Sequence, residues 1–349
     1  MGNLKFFWGS FFVTVIGAIA AFYLYGFTGL FLVAVLSVLE VSLSFDNAVV
    51  NATVLKEMDA VWRRRFLTWG ILIAVFGMRI VFPVAVVSVI AMVSPWEALR
   101  IAIDNPEQYR IIMESAHVSL MGFGGAFLML VGLDFFLNDE KEDHWISIIE
   151  RPILHIGKIK FAAEILTIVA LGIIAIFFLP EGDRSSFLTS GILGVITFTA
   201  IHQLAAFMEA KEESRTNNAA NATKAAAKSG LGMFLYLEIL DASFSFDGVI
   251  AAFAITTNLF IIAIGLGIGA MFVRSLTIML VEKNTLDEYR YLEHGAFYAI
   301  IALAIIMFIK TFYHVPEVIT GLLGAGFIAV AFIHSIAVKK KDDRAITDV

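Results

Sequence analysis

The sequence contains no cysteine and few charged residues. The lack of Cys excludes disulfides, iron–sulfur clusters and thiolate metal sites, and it leaves oxygen and imidazole as the metal ligands that we expect. Charged residues make up 16% of the chain, against about a quarter in soluble domains, whereas 59% of the residues are hydrophobic. With a mean hydropathy of +0.86, a chain of this length is not expected to form a soluble fold.

The apolar residues are gathered into runs of about 20 or more, which is the length at which a helix crosses a hydrocarbon core of roughly 30 Å. Stretches such as 191–207 lack the two-residue alternation of membrane β-strands. We therefore predict an all-α, polytopic transmembrane bundle that forms one integral membrane domain, 1–349. About ten spans are expected, at 6–25, 29–55, 67–93, 117–137, 161–180, 187–208, 231–257, 259–281, 294–313 and 316–338.

The positive charges predict the orientation of these spans. If both termini are cytoplasmic, nineteen of the 25 Lys and Arg residues fall on the cytoplasmic side and four on the other. This division follows the positive-inside rule and predicts a multi-pass protein of the cell (plasma or inner) membrane. The first apolar run continues past Ala18-Ile19-Ala20, so we expect it to remain as a span and not to be cleaved as a signal peptide.

An internal repeat relates two parts of the chain. The second span contains Glu40-Val-Ser-Leu-Ser-Phe-Asp46-Asn47, and the seventh contains Asp241-Ala-Ser-Phe-Ser-Phe-Asp247-Gly248. In each half, the next span carries one arginine and the span after it begins with histidine; these residues are Arg79, His117, Arg274 and His294. The second copy lies five spans after the first, an odd number, so the predicted halves 1–180 and 187–349 have inverted topology, as in many secondary transporters.

Two polar segments lie between the spans. The Asn-, Ala- and Lys-rich segment 209–230 is predicted to be a flexible cytoplasmic linker between the halves. The loop 138–160 has mixed charge and could sense metal, but such a cytoplasmic loop is usually solvated, and we expect it to be solvated here.

Five acidic residues fall well inside the predicted spans: Glu40, Asp46, Glu238, Asp241 and Asp247. An ionised carboxylate at bilayer depth costs about 2.5–3.5 kcal/mol even on insertion scales. The two intramembrane arginines can compensate only two of the five negative charges. Bound cations or protons are expected to compensate the others. If the acids served only to lock helices together through the arginines, the surplus carboxylates would have no explanation.

Helical periodicity places most of these groups on two polar faces. Glu40, Ser44, Asn47 and Asn51 share one face, and Glu238, Asp241 and Ser245 share another. Asp46 and Asp247 lie about 120° off these faces, so either each polar face is wide or the helix unwinds near Ser-Phe-Asp. We predict metal ligands at Glu40, Asp46, Asn47, Glu238, Asp241 and Asp247, with Ser44, Asn51, Ser245, Arg79 and Arg274 in support.

These predicted ligands are hard oxygen atoms, which suit Mn²⁺, Ca²⁺ or Mg²⁺. The cation would be a transported ligand, with protons as a further candidate. No catalytic residue, permanent cofactor or nucleic-acid partner is predicted, and the sequence does not indicate an oligomeric state.

The two acidic motifs resemble those of the TerC-like integral membrane proteins, a family named for tellurium resistance. The resemblance covers roughly 29–137 and 231–313, and it implies manganese efflux with the five acids lining the ion path. The second motif has Gly248 where that family usually has Ser, and the chain has more spans than the family's core.

Three other functions fit the same residues. The chain could be a proton-coupled transporter of another cation, with the carboxylates as a proton relay. It could be an accessory membrane protein that delivers metal to, or assists assembly of, other exported proteins. An intramembrane hydrolase could use two aspartates or a metal-activated water, but the chain lacks Gly-x-Gly-Asp and His-Glu-x-x-His. Divalent cation transport explains the duplicated acids best, and export as its direction is what the family resemblance implies.

Overall fold

The computed structural model describes residues 4–138, 141, 143–215 and 230–347, and in these ranges the chain forms helices and no strand. The all-α prediction is therefore confirmed for the described chain. The α-helices are α1 Trp8–Leu43, α2 Phe45–Glu57, α3 Ala60–Leu72, α4 Phe82–Ile90, α5 Pro95–Asp104, α6 Pro106–Ser115, α7 His117–Leu137, α8 Ser147–Gly157, α9 Ala162–Phe177, α10 Glu181–Arg215, α11 Gly230–Ile255, α12 Leu259–Glu282, α13 Thr285–Glu288, α14 Leu292–Lys310 and α15 Glu317–Thr347. A 3₁₀ turn, Leu4–Phe7, precedes α1, and a π-helical segment, Ile73–Val81, joins α3 to α4.

Several described helices are long and apolar enough to cross a membrane. There are six, or up to eight if each of two bent helix pairs is one span. The first pair, Phe76–Ile90 and α5, is bent by 104°, and the second, α8 and α9, by 105°. Helix α11, at 26 residues, is also long enough, but unlike these six it carries three acidic residues in its apolar stretch. The chain is thus a helical membrane protein with at least six apolar membrane-length helices among its described residues.

Helix α1 reverses direction at Gly26. This glycine has φ 64° and ψ −154°, a conformation that only glycine adopts readily. The Cβ that Gly29 would carry lies 2.9 Å from the carbonyl oxygen of Ala21, although eight residues of continuous helix would separate them by about 12 Å. The two parts of α1 therefore lie side by side, and the break falls where the sequence predicted the first loop.

Both parts of α1 pack on α12. In the first part, the hydroxyl of Ser10 donates to the carbonyl oxygen of Met271 at 2.8 Å. In the second part, the hydroxyl of Ser37 donates to the carbonyl oxygen of Gly265 at 3.0 Å. Helix α12, which carries Arg274, is thereby held against the helix that ends just after Glu40.

The two helices that the sequence predicted to begin with histidine, α7 and α14, pack against each other in opposite directions. A Cβ on Gly125 would lie 2.6 Å from the ring of Phe308, whereas one on Gly132 would lie 2.3 Å from Ile301. Further along α7, the ring of Phe135 stacks on that of Phe297 with centroids 3.9 Å apart. Contacts that move forward along α7 therefore move backward along α14.

The two acidic motifs differ in backbone structure. In the first copy, Ser44 has φ −111° and ψ 16° and separates α1 from α2, so the helix is interrupted within the motif. In the second copy, α11 runs without a break through residues 241–248. The unwinding that the sequence left open thus occurs in one copy of the two.

Candidate functional site

A small cavity lies at the centre of the bundle, where the two acidic motifs meet. It measures about 20 Å³ of space for the centre of a water-sized sphere, which is room for one or two waters or a single ion. Its lining comes from α1, α2, the π-helical segment, α11 and α12: Glu40, Ser44, Asn47, Asn51, Arg79, Asp241, Ser245, Ala270, Val273, Arg274 and Thr277. Eight of the eleven residues predicted from the sequence line this one space.

Asp241 connects the two motifs across the cavity. Its Oδ1 atom accepts hydrogen bonds from the side-chain amides of Asn47 at 2.8 Å and Asn51 at 2.7 Å. Because both amide nitrogens are used in this way, the oxygen atoms of the two amides are left as acceptors. Among the described residues neither oxygen has a hydrogen-bond partner, and the same is true of the buried hydroxyl of Ser245.

Glu40 forms the ion pair of the cavity. Its buried Oε1 accepts hydrogen bonds from the guanidinium of Arg79 and, at 3.1 Å, from the hydroxyl of Ser44. Glycines bring two other helices close to this carboxylate. A Cβ on Gly269 would lie 2.5 Å from the Cβ of Glu40, and a Cβ on Gly248 would lie 3.1 Å from its Oε2. Gly248, the residue that follows the aspartate of the second motif, therefore lies next to the carboxylate of Glu40.

Arg274 and Glu238 lie together at the edge of the cavity. The guanidinium of Arg274 is 3.8 Å from the ring centroid of Phe66, in a cation–π contact. Both carboxylate oxygens of Glu238 are buried and have no hydrogen-bond partner among the described residues. One guanidinium nitrogen and one of these oxygens each lie 2.9 Å from the place of a Cβ on Gly70. Glu238 lies beside this arginine and is not among the lining residues of the cavity.

Asp46 points away from the cavity, as its position 120° off the polar face would require. Its Oδ2 lies 3.1 Å from the place of a Cβ on Gly324 in α15, and its Oδ1 accepts from the backbone N–H of Asn47 at 3.0 Å. The side chain of Asp247, the matching residue of the second motif, lies outside what the structure describes. Three of the six predicted metal ligands, Glu40, Asn47 and Asp241, therefore meet in the cavity.

A wider cavity of about 270 Å³, measured in the same way, lies beside these helices. Its lining follows α2 from Thr53 to Glu57 and α11 from Gly232 to Tyr236. Both stretches lie away from the motif residues, one at the C-terminal end of α2 and the other at the N-terminal end of α11. The titratable groups in its wall are Glu57, Asp134, His202, Tyr236 and Glu293. Among them, His202 Nε2 lies 3.5 Å from a carboxylate oxygen of Asp134.

Sequence reasoning missed two features of the interior. The first is a set of lining residues that share a helical face with Arg274: Ala270, Val273 and Thr277. Helical periodicity counted from Arg274 would have predicted them. The second is Glu150, which lies in the loop that we expected to be solvated but is completely buried. That expectation was wrong for Glu150, since its partners come from distant parts of the chain.

The cavity offers one paired and one amide-bound carboxylate, two amide oxygens and hydroxyl groups. Among the described residues no three His, Asp or Glu side chains are grouped closely enough to hold a metal by themselves. The amide oxygens and hydroxyls would have to complete the ligand set of a cation there, and such neutral oxygens are common ligands of hard cations.

Comparison with known proteins places the chain in a family. No curated protein and no solved structure matches the chain. Residues 45–342 match the model of the family described as protein of unknown function (DUF475), so the chain belongs to that family.

Proposed function

We propose that this protein is a membrane transporter of divalent metal cations, and that it exports manganese through the central cavity. The observation that carries the proposal is the set of acceptor atoms of Asn47, Asn51 and Ser245, which are buried and have no donor among the described residues. Burying such groups without partners costs free energy. A hard cation in the cavity would supply the missing interaction, and it would do so beside the carboxylates of Glu40 and Asp241.

The charge of the interior supports a cation as the ligand. Four described acids, Glu40, Asp46, Glu238 and Asp241, are buried together with only two arginines. A divalent cation would balance the two negative charges that the arginines leave among these four acids. An anion or an uncharged solute would leave the interior negative at bilayer depth.

We further propose that the bundle has ten spans in two inverted halves. The reversal at Gly26 supports two crossings within α1, with α2 extending the second. The other eight would be α3 with the π-helical segment and α4, then α7, α9, α10, α11, α12, α14 and α15. The opposite directions of α7 and α14 support the inverted relation, because each carries the corresponding histidine of its half in its first turn.

In this arrangement, the wider cavity is the cytoplasmic approach to the central one. Its wall ends near Glu57, before the Arg63-Arg64-Arg65 segment that charge counting places in the cytoplasm. Carboxylates in a cleft with low-dielectric walls raise the local concentration of cations. Export would then proceed from this vestibule through the constriction formed by the two motifs, and manganese as cargo and export as direction rest on the resemblance to the TerC-like proteins.

The test is uptake of Mn²⁺ into proteoliposomes that hold the purified protein, with Ca²⁺, Mg²⁺ and Zn²⁺ as competitors. A Glu40→Gln/Asp241→Asn double variant removes both cavity carboxylates. Glu97→Gln is the matched control, because Glu97 is exposed on α5 and lines neither cavity. Transport by wild type and control, together with its loss in the folded double variant, supports the proposal. If no divalent ion moves under any pH gradient, transport is refuted, and the accessory role becomes the function to pursue through its partner proteins.

A further inference from the structure

Helix α8 lies across the direction of the helix that follows it. The two helices are bent by 105° at residues 158–161. Helix α9 is apolar throughout and is one of the ten proposed spans. If α9 runs roughly along the membrane normal, α8 lies nearly parallel to the membrane surface, at the end of the span.

The sides of α8 differ in character. One side faces the protein body and carries Glu150, Ile153, Leu154 and Gly157, of which Glu150 is buried and the others are partly buried. The opposite side exposes isoleucines: Ile148 is 89% exposed, Ile149 46% and Ile156 39%. At 100° per residue, Arg151 and His155 lie between these two sides.

The exposed charge of this segment has one sign. Arg151, His155, Lys158 and Lys160 are all exposed. The only acidic residue in 147–160 is Glu150, and it is completely buried. An apolar side beside a basic side is the pattern of helices that lie in the interface of an anionic membrane.

Glu150 fastens α8 to the rest of the protein. Its Oε1 accepts from the backbone N–H of Ile146 at 3.0 Å and from the hydroxyl of Tyr298 in α14 at 3.2 Å. Its Oε2 accepts from Lys141 at 3.0 Å. Next to it, a Cβ on Gly157 would lie 2.2 Å from the carbonyl oxygen of Leu137, so the end of α8 sits directly against the end of α7. The helix is therefore held in place, with its isoleucines turned outward.

We propose that α8 is an interfacial helix that binds the anionic leaflet of the bilayer. Its exposed isoleucines insert at the boundary of the acyl chains, and its basic residues contact anionic lipid headgroups. The orientation predicted from charge places this segment on the cytoplasmic side, where anionic lipids are expected. This inference does not depend on transport and can stand if the proposed cargo is wrong.

The experiment measures the depth of α8 in the bilayer with spin labels. The chain has no cysteine, so single variants Ile148→Cys and Ile156→Cys can be labelled without background. Gln108→Cys, on the exposed surface of α6, serves as the water-facing reference. The full-length protein is placed in nanodiscs of phosphatidylcholine alone or with phosphatidylglycerol, and the accessibility of each label to oxygen and to a polar nickel complex is recorded.

We expect the labels at 148 and 156 to favour oxygen over nickel several-fold more than the label at 108. Phosphatidylglycerol should shift them deeper, and an Arg151→Gln/Lys158→Gln/Lys160→Gln triple replacement in the same labelled chains should abolish that shift.

Three results would overturn the proposal. Dominant nickel access at 148 and 156 would place the isoleucines in water, and exclusion of both reagents would place them against protein, such as a second copy of the chain. If neither phosphatidylglycerol nor the triple replacement changes the depth of the labels, α8 does not bind anionic headgroups and the proposal fails.

Discussion

Asn47 donates its side-chain amide to the carboxylate of Asp241 at 2.8 Å. This hydrogen bond joins the two copies of the acidic motif, which lie nearly two hundred residues apart in sequence. It also determines which way the amide of Asn47 faces, because the nitrogen is held by Asp241 and the oxygen is left as an acceptor. The neutral side chain of Asn47 thereby presents an acceptor oxygen in a fixed orientation.

The Asn51 amide should contribute directly to cation binding. Asn51→Ala removes one of the two donors to Asp241 and one of the acceptor oxygens of the cavity. We expect a higher half-saturating concentration of Mn²⁺ in proteoliposome uptake, with the protein still folded, because a ligand is lost while the carboxylates remain. Asn105→Ala, which removes the same type of side chain at an exposed position that lines neither cavity, is the control. An unchanged half-saturation in Asn51→Ala would exclude the amide from the binding site.

Removing one partner of the Glu40–Arg79 ion pair should destabilise the fold strongly. Arg79→Gln leaves a buried carboxylate without its charged partner, which typically costs about 3–5 kcal/mol. Adding Glu40→Gln should recover much of the loss, since the pair is then replaced by two neutral groups that can hydrogen-bond. Unfolding of the three variants in detergent measures the coupling. Additive losses would mean that the two side chains do not interact in the folded protein.

Gly269 should be intolerant of a methyl group. Its Cβ would lie 2.5 Å from the Cβ of Glu40 and 2.8 Å from the carbonyl oxygen of Ser37, so Gly269→Ala must push α12 away from α1. We expect destabilisation of about 1–3 kcal/mol, together with slower ion uptake. Gly172→Ala is the matched control, because nothing lies within 4 Å of its Cβ position and alanine favours the helix. Equal unfolding midpoints for the two variants would contradict the close approach.

Glu150 should make stability depend on pH. Burial pushes the pKa of Glu150 up, but the hydrogen bonds from Ile146 and Lys141 outweigh it and hold the pKa below the usual value of 4.5. Because the pKa is lower in the folded chain, the ionised carboxylate contributes stability above pH 4.5, and this contribution is lost as the pH falls through the lowered value.

We therefore expect Glu150→Gln to cost about 1–3 kcal/mol near neutral pH. The difference from wild type should shrink as the pH falls through the acid range. Thermal unfolding of both proteins across that range provides the measurement. A cost that stays constant with pH would show that the charge of Glu150 is not what the network stabilises.

The inverted topology predicts which residues face each side of the membrane. A cysteine at Gln108 should react with a membrane-impermeant maleimide added to intact cells, whereas a cysteine at Arg64 or Lys283 should react only after permeabilisation. These positions fall in the third, second and eighth loops of the ten-span arrangement. Labelling of position 64 or 283 in intact cells would contradict the predicted orientation.

The sequence alone determined that this chain is a helical membrane protein, and it predicted eight of the residues that line the central cavity. Runs of apolar residues as long as a bilayer is thick allow little besides helices, because backbone groups in lipid must be hydrogen-bonded within the segment. The five acids inside the predicted spans stood out because charge at that depth requires a partner, and helical periodicity separated Asp46 from the face that carries Glu40 and Asn47. Both inferences depend on the spacing of residues along the chain and on the cost of burying charge, and both can be assessed from the sequence.

The tertiary structure decided how the groups pair. Three pairings depend on how helices far apart in sequence approach one another. Asn47 and Asn51 both donate to Asp241. Arg79 pairs with Glu40, and Arg274 stacks on Phe66. The burial of Glu150 was invisible for the same reason, since Tyr298 reaches it from another helix. From the sequence, a charged residue in a polar loop is expected to be solvated, because the donors that surround it come from distant parts of the chain. The approach of distant helices is set by the packing of the whole bundle, and no local sequence pattern predicts that packing.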